Sequence, residues 1–156
     1  MRAAASILAA CGGFLVAVLW MDLMFDVQIL RYRQRGAELP ESVLASIATY
    51  YRRVTTTARP MGHLIGAVMA TTVIILSVQI AVGHGPRWLA LASLLLCGGP
   101  ILLAFVRVHS NAVRLAARSD PALRQSALAR SICSDHLLCF GGILGFVALQ
   151  LSAAAR

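Results

Sequence analysis

LWMDLMFDVQILRYR, residues Leu19–Arg33, closes the first long apolar run of the chain and carries two carboxylates, Asp22 and Asp26. The run begins near Ala3 and matches the ~20 residues that a helix needs to cross the hydrocarbon of a bilayer. Carboxylates in a membrane span persist mainly where they face a protein interior or a functional cavity. Residues four apart share one helix face, so the stretch predicts a membrane helix that presents both acids to one protein-facing site.

The composition is typical of a membrane protein. Of the 156 residues, 59% are hydrophobic and 13% are charged, whereas soluble domains carry about 25% charged residues. The length suits one transmembrane domain over residues 1–156. The net charge of +8 includes no lysine, and long apolar runs separate the arginines. We therefore predict contact with the lipid bilayer and its headgroups, and no binding to nucleic acid.

Four apolar runs predict four membrane spans in an all-α fold. The predicted spans are 3–25, 61–82, 88–108 and 132–153, joined on one side by two long polar connections, 27–60 and 109–131. Helical patterns continue from the spans into these connections. We therefore expect an integral membrane four-helix bundle of up-down topology with helical extensions. Gly98-Gly99-Pro100 in the third span predicts a kink, because proline removes a backbone hydrogen bond.

The arginines predict how this bundle is oriented. Eleven of the fourteen arginines lie in or beside the two long connections, and only Arg2, Arg87 and Arg156 lie on the opposite side. Cytoplasmic loops carry the excess of basic residues in membrane proteins. We therefore predict that both termini lie outside and that the helical extensions are cytoplasmic. The protein is expected to be a multi-pass protein of a bacterial cytoplasmic (inner) membrane.

The 27–60 connection is predicted to contain a helix of its own, which begins near Pro40 after a break at Gly36. Apolar and aromatic residues recur in it at helical spacing, at Val43, Leu44, Ile47, Tyr50, Tyr51 and Val54. Two interpretations stay open for this helix. It lies in the lipid headgroup region with its apolar face towards the bilayer, or it is a connector packed on the bundle.

All four spans contribute polar side chains at one level near the predicted cytoplasmic end. These candidate site residues are Asp22, Asp26, His63, His109, Asn111, Asp135 and His136. In the simplest interpretation the acids pair with arginines, with Arg59, Arg107 and Arg114 as the candidate partners, because buried charges need partners. The protein would then be a small membrane protein of unknown activity with a polar Asp/His/Arg layer at the cytoplasmic mouth of the bundle.

A second interpretation is a membrane-embedded metal-dependent enzyme. Carboxylates and imidazoles from several helices of a bundle are common ligands of transition metals. The ligands would be Asp22, Asp26, His63, His109 and His136, with Asn111 or Asp135 orienting a histidine. In a variant of this hypothesis, two of the three histidines hold a haem. The sequence contains no Glu-x-x-His pair and no HExxH motif, and it identifies no catalytic residue.

A third interpretation is proton-coupled transport of a small molecule. A carboxylate such as Asp22, placed in a helix interior near water, can exchange a proton for a cation. Four spans are few for a monomeric transporter, so this interpretation implies an oligomer. Small residues recur every four positions at Ala5, Ala9, Gly13 and Ala17, and again at Gly62, Gly66 and Ala70. These helix faces permit a homo-oligomer, although they serve equally to pack the helices of one monomer.

Overall fold

The computed structural model of the protein describes residues 2–32, 36–83 and 86–155. For Arg2 and Arg59 it describes the backbone alone. The regular structure of the described residues is entirely helical, and four helices are long and apolar enough to cross a membrane. This confirms the predicted all-α class with four long apolar helices. The helices are α1 (Arg2–Asp26), α2 (Glu41–Arg52), α3 (Arg59–Val82), α4 (Arg87–Ala117) and α5 (Ala122–Ala154).

Three of the long helices extend beyond the predicted spans at the end that carries the polar residues. A 3-10 turn, Val27–Arg31, follows α1 directly, and α4 continues nine residues past the predicted end of its span. The fifth helix begins ten residues before the predicted start at 132. These extensions give α2 an apolar surface on which to pack, beyond the level of the spans.

Three residues with positive backbone φ angles mark one turn and two helix ends. Gly36 (φ +91°) lies in the turn before α2, and Gly83 (φ +69°) ends α3. Glycine adopts this left-handed conformation without the steric penalty that a Cβ atom brings. Arg118 (φ +55°) ends α4 in the same conformation. The next helix then begins at once, after Pro121, so α4 and α5 are joined by a tight connection.

The fourth helix is irregular around the predicted kink. Two π-helical turns, Leu94–Gly98 and Ala104–Val108, flank a short α-helical segment, Gly99–Leu103, that contains Pro100. Proline lacks a backbone N–H, and π turns commonly accommodate such interruptions. The first π-helical turn therefore lies at the position where Gly98-Gly99-Pro100 predicts an irregularity. The second π-helical turn follows the short α-helical segment.

Close helix packing depends on particular glycines. The first helix packs most extensively against α5, where a Cβ atom at Gly12 would lie 2.6 Å from Val147. A Cβ atom at Gly142 would lie 2.9 Å from Pro100 and 3.0 Å from the carbonyl oxygen of Leu96. An apolar core is buried between the long helices and consists of Leu8, Leu15, Leu76, Cys97, Ile101, Ile143 and Phe146.

The second helix packs on the extensions of the long helices. Its buried residues are Val43, Leu44, Ile47, Ala48 and Tyr51. All of these except Ala48 join a second apolar core with residues of α4 and α5, including Leu115, Leu128 and Ile132. Of the two interpretations that the sequence leaves open, the structure shows the packed connector. This packing fixes the position of α2 and brings its tyrosines against α1.

Candidate functional site: a polar cluster at the end of an interhelical cavity

Asp26 is at the centre of a buried hydrogen-bonded group. Its side chain is 0% exposed. The Tyr51 hydroxyl donates to it, 2.8 Å from Oδ1 and 2.9 Å from Oδ2, and His136 Nδ1 lies 2.7 Å from Oδ2. Both carboxylate oxygens are therefore used within the protein. A buried carboxylate needs such partners, since an unpaired charge in an apolar interior is strongly unfavourable.

Asp22 lies one helical turn before Asp26, on the same face of α1. The Tyr50 hydroxyl donates to Asp22 Oδ1 at 2.6 Å, and the Phe25 ring stacks on Tyr50 with centroids 4.0 Å apart. Asp22 Oδ2 is 3.9 Å from His136 Nε2, which is beyond hydrogen-bonding distance. One oxygen of Asp22 and one nitrogen of His136 therefore face each other without a hydrogen bond between them.

We call Asp22, Asp26, Tyr50, Tyr51 and His136 the polar cluster. Three helices supply it, because α1 gives the acids, α2 the tyrosines and α5 the histidine. Burial and the adjacent carboxylates raise the pKa of both tyrosines above the ordinary phenol value. The two hydroxyls therefore stay protonated and act as hydrogen-bond donors to the acids. Sequence reasoning missed this role, although both tyrosines belong to the apolar and aromatic pattern of the predicted helix in the 27–60 connection.

One of the arginine pairs that the electrostatic interpretation predicts is present, and a second candidate partner pairs elsewhere. Arg107 forms a bidentate pair with Asp135, with Nε 2.8 Å from Oδ2. Arg114 instead pairs with Asp120 at 3.1 Å, outside the predicted polar layer. The side chain of Arg59 lies outside the described residues. In the described part of the chain, the acids of the polar cluster are thus bound by tyrosine and histidine rather than by arginine.

A cavity of about 450 Å³ lies between the helices beside the polar cluster. Pockets of roughly 300–1,000 Å³ with apolar walls and a few polar groups are typical of small-molecule sites. All five helices contribute to its wall. The polar side chains in the wall are Asp22, Tyr51, Thr55, His63, His109 and His136, and the apolar ones include Leu15, Leu19, Ile65, Met69, Ile101 and Ile143.

The polar wall residues share one end of the cavity. On α1, Leu15 and Leu19 precede Asp22. On α5, which runs back along α1, Ile143 follows His136. Polar groups thus lie towards the same end on both helices, and apolar groups extend away from them.

The other two long helices show the same gradient. On α3, Ile65 and Met69 follow His63, and on α4, Ile101 precedes His109. The cavity is therefore amphipathic along its length, with a polar end and an apolar body.

The structure brings together some of the predicted site residues and separates others. Asp22, Asp26 and His136 are in the polar cluster. His63 and His109 lie on the cavity wall, and neither forms a hydrogen bond with another described residue. The remaining two predicted site residues, Asn111 and Asp135, do not line the cavity. Asp135 is bound by Arg107. Among the described residues, no group of three or more His, Cys, Asp or Glu side chains is arranged to hold a metal ion.

No family model, curated protein or solved structure matches the chain. The chemistry of the polar cluster and the shape of the cavity are therefore the basis for a proposal about function.

Proposed function

We propose that the protein is a small integral membrane protein that binds a lipophilic small molecule, with a polar head, between its helices. The single observation that carries this proposal is the amphipathic cavity, whose polar groups from α1, α3, α4 and α5 share one end. A molecule that partitions into the bilayer would place its apolar body among residues such as Met69 and Ile143. Its head would meet the polar cluster at Asp22 and His136.

We also propose the membrane arrangement that the sequence predicts. The four long helices form an up-down bundle in a bacterial cytoplasmic membrane, with both termini outside. The distribution of arginines supports this orientation, and the many large apolar side chains on the outer surface, such as Trp20, Leu95 and Val106, suit contact with lipid. The polar end of the cavity then lies near the cytoplasmic side.

A cavity-filling substitution tests the proposed binding site. Gly66 lines the cavity, and a Cβ atom there would meet no other atom within 4 Å. We expect Gly66→Leu to keep the fold and to occupy space that a ligand needs. The matched control is Gly141→Leu, since Gly141 is equally open but does not line the cavity.

The probe for this test is 1-naphthalenemethanol, a neutral lipophilic alcohol. A molecule that binds the folded state stabilises it by about 2.7 kcal/mol at a concentration 100 times its dissociation constant. We expect the probe to raise the unfolding midpoint of the wild type and of Gly141→Leu, measured in nanodiscs at one fixed lipid concentration. Gly66→Leu should show little or no rise. Equal midpoint shifts in all three proteins would contradict the proposal.

The metal, haem and transport hypotheses remain predictions from the sequence. Asp22, Asp26 and His136 are the members of the predicted ligand set that lie together. Elemental analysis and an absorption spectrum of the protein, purified in mild detergent without chelators, test the first two. Metal in near-stoichiometric amount that is lost in Asp22→Ala would favour a metal-dependent enzyme over the binding function proposed here.

A further inference from the structure

We propose that the head of the ligand is an organic ammonium group, and that Asp22 Oδ2 is the atom that receives it. This inference rests on the proposed function, because it names the class of molecule that the cavity binds. Two independent observations support it. The first is the balance of charges around the cavity, and the second is the set of hydrogen bonds made by the polar side chains at the polar end of the cavity.

The charge balance at the polar end is negative. The two carboxylates of the polar cluster face one imidazole, so with both carboxylates ionised the cluster has one excess negative charge even when His136 is protonated. Of the fourteen arginines in the chain, none is among the described residues that line the cavity. Arg107, on the same level, is held by Asp135. A buried negative charge without a partner is strongly unfavourable, so the site is complementary to a cation.

The described side chains that face Asp22 come from α1, α2 and α5. Asp26 is on its own helix, Tyr50 and Tyr51 are on α2, and His136 is on α5. The other titratable side chains of the cavity wall are His63 on α3, His109 on α4 and Cys139 on α5. Neither histidine is hydrogen-bonded to a described residue. None of these groups supplies a permanent positive charge.

The hydrogen bonds identify which oxygen is free. Asp26 is closed to a ligand, because its side chain is fully buried and both oxygens accept hydrogen bonds from Tyr51 or His136. Asp22 is 14% exposed and lines the cavity, and its Oδ1 accepts from Tyr50. Its Oδ2 makes no hydrogen bond to a described residue. An ammonium N–H placed in the cavity can therefore donate to Asp22 Oδ2.

The cavity also limits the rest of the molecule. Its apolar part suits an aromatic or alkyl body, and the Tyr51 and Phe105 rings in the wall can contact a cation favourably.

A proton and the ammonium compete for the same carboxylate. When the cation binds to a site in which Asp22 is protonated, the carboxyl O–H bond breaks, its proton passes to water, and no covalent bond to the ligand forms. We therefore expect the affinity for the cation to rise with pH while the amine stays protonated.

Two matched probes test the inference. The probes are 1-naphthylmethylamine, which is an ammonium ion at neutral pH, and the neutral 1-naphthalenemethanol. Binding is measured for the full chain in nanodiscs of zwitterionic lipid, so that anionic lipid does not attract the amine. We expect the wild type to bind the amine at least tenfold more tightly than the alcohol. Equal affinities would overturn the inference and leave the proposed cavity intact, whereas binding of neither probe would overturn both.

Variants assign the preference to Asp22. We expect Asp22→Asn to lose the preference for the amine and to keep its affinity for the alcohol, which also reports that the variant is folded. The control is Asp120→Asn, a carboxylate that pairs with Arg114 away from the polar cluster and does not line the cavity, and it should keep the preference. A preference that survives in Asp22→Asn would overturn the inference. If Asp22→Asn does not fold, the pH series on the wild type decides, and an amine affinity that does not fall relative to that of the alcohol as the pH is lowered until carboxylates protonate contradicts the proposal.

Discussion

His136 Nδ1 lies 2.7 Å from Asp26 Oδ2, which joins the last helix to the first across 110 residues of sequence. This contact determines which way the imidazole faces. With Nδ1 bound to the buried carboxylate, Nε2 is left on the side of Asp22 and the cavity. The pair therefore links the stability of the α1–α5 contact to the geometry of the polar end.

The first prediction concerns the stability that Asp26 provides. Asp26→Ala leaves the Tyr51 hydroxyl and His136 Nδ1 buried without their common partner. Removing one member of a buried charged pair typically costs about 3–5 kcal/mol, so we expect a large fall in the free energy of unfolding. Unfolding in mild detergent measures it. The control is Asp120→Ala, which breaks the peripheral pair with Arg114 and should cost less than about 1 kcal/mol. Similar losses in the two variants would contradict this assignment.

A second prediction uses two adjacent glycines of α5. A Cβ atom at Gly142 would overlap Pro100 and the backbone of α4, whereas one at Gly141 would meet nothing within 4 Å. We expect Gly142→Ala to destabilise the protein by about 1–3 kcal/mol, as overpacked interiors do. Gly141→Ala should be neutral or slightly stabilising, because alanine favours helix. The midpoints of thermal unfolding compare the two, and a Gly142→Ala variant as stable as Gly141→Ala would show that α4 and α5 do not approach so closely.

The third prediction concerns alkaline pH. Burial and Asp26 raise the pKa of Tyr51, so its phenol stays protonated in the fold, but it ionises near pH 10 in the unfolded chain. Unfolding then releases a proton, and stability falls as pH rises above about 10, by about 1.4 kcal/mol per pH unit for such a phenol. We expect Tyr51→Phe to be less stable at pH 7 but to lose stability less steeply between pH 10 and 11.5. Parallel pH profiles for the wild type and the variant would contradict the buried position of this phenol.

A fourth prediction tests the orientation in the membrane. A reporter that is active only outside the cytoplasm, fused after Arg156, should be active in a bacterial host. The same reporter inserted at Gly36, between α1 and α2, should be inactive. The opposite pattern would invert the bundle and move the polar end of the cavity to the outer side.

The four long helices were predictable from the sequence, because runs of about twenty apolar residues are unambiguous. The shared face of Asp22 and Asp26 also followed from their spacing of four. Their partners did not follow, since residues on one level of a bundle can point in different directions around a helix. Asp135 and His136 are consecutive and so point about 100° apart, which lets one bind Arg107 and the other Asp26.

The role of the tyrosines depended on information that periodicity does not contain. The pattern in 41–54 predicts a helix, but Tyr50 and Tyr51 reach Asp22 and Asp26 only because α2 folds back onto the extensions of α4 and α5. That packing is set by contacts between residues far apart in the chain. The same limit applies to the cavity, whose wall combines residues from all five helices.

The most direct test of the central claim is to map where a lipophilic ligand binds. A photoreactive diazirine analogue of 1-naphthalenemethanol is activated in nanodiscs, with and without excess unmodified alcohol, and labelled peptides are identified by mass spectrometry. We expect the labelling that the alcohol suppresses to fall on cavity residues such as Met69, Ile101 and Ile143, and to be lost in Gly66→Leu. Suppressible labelling confined to outward-facing residues such as Leu95 and Val106 would contradict a binding site between the helices.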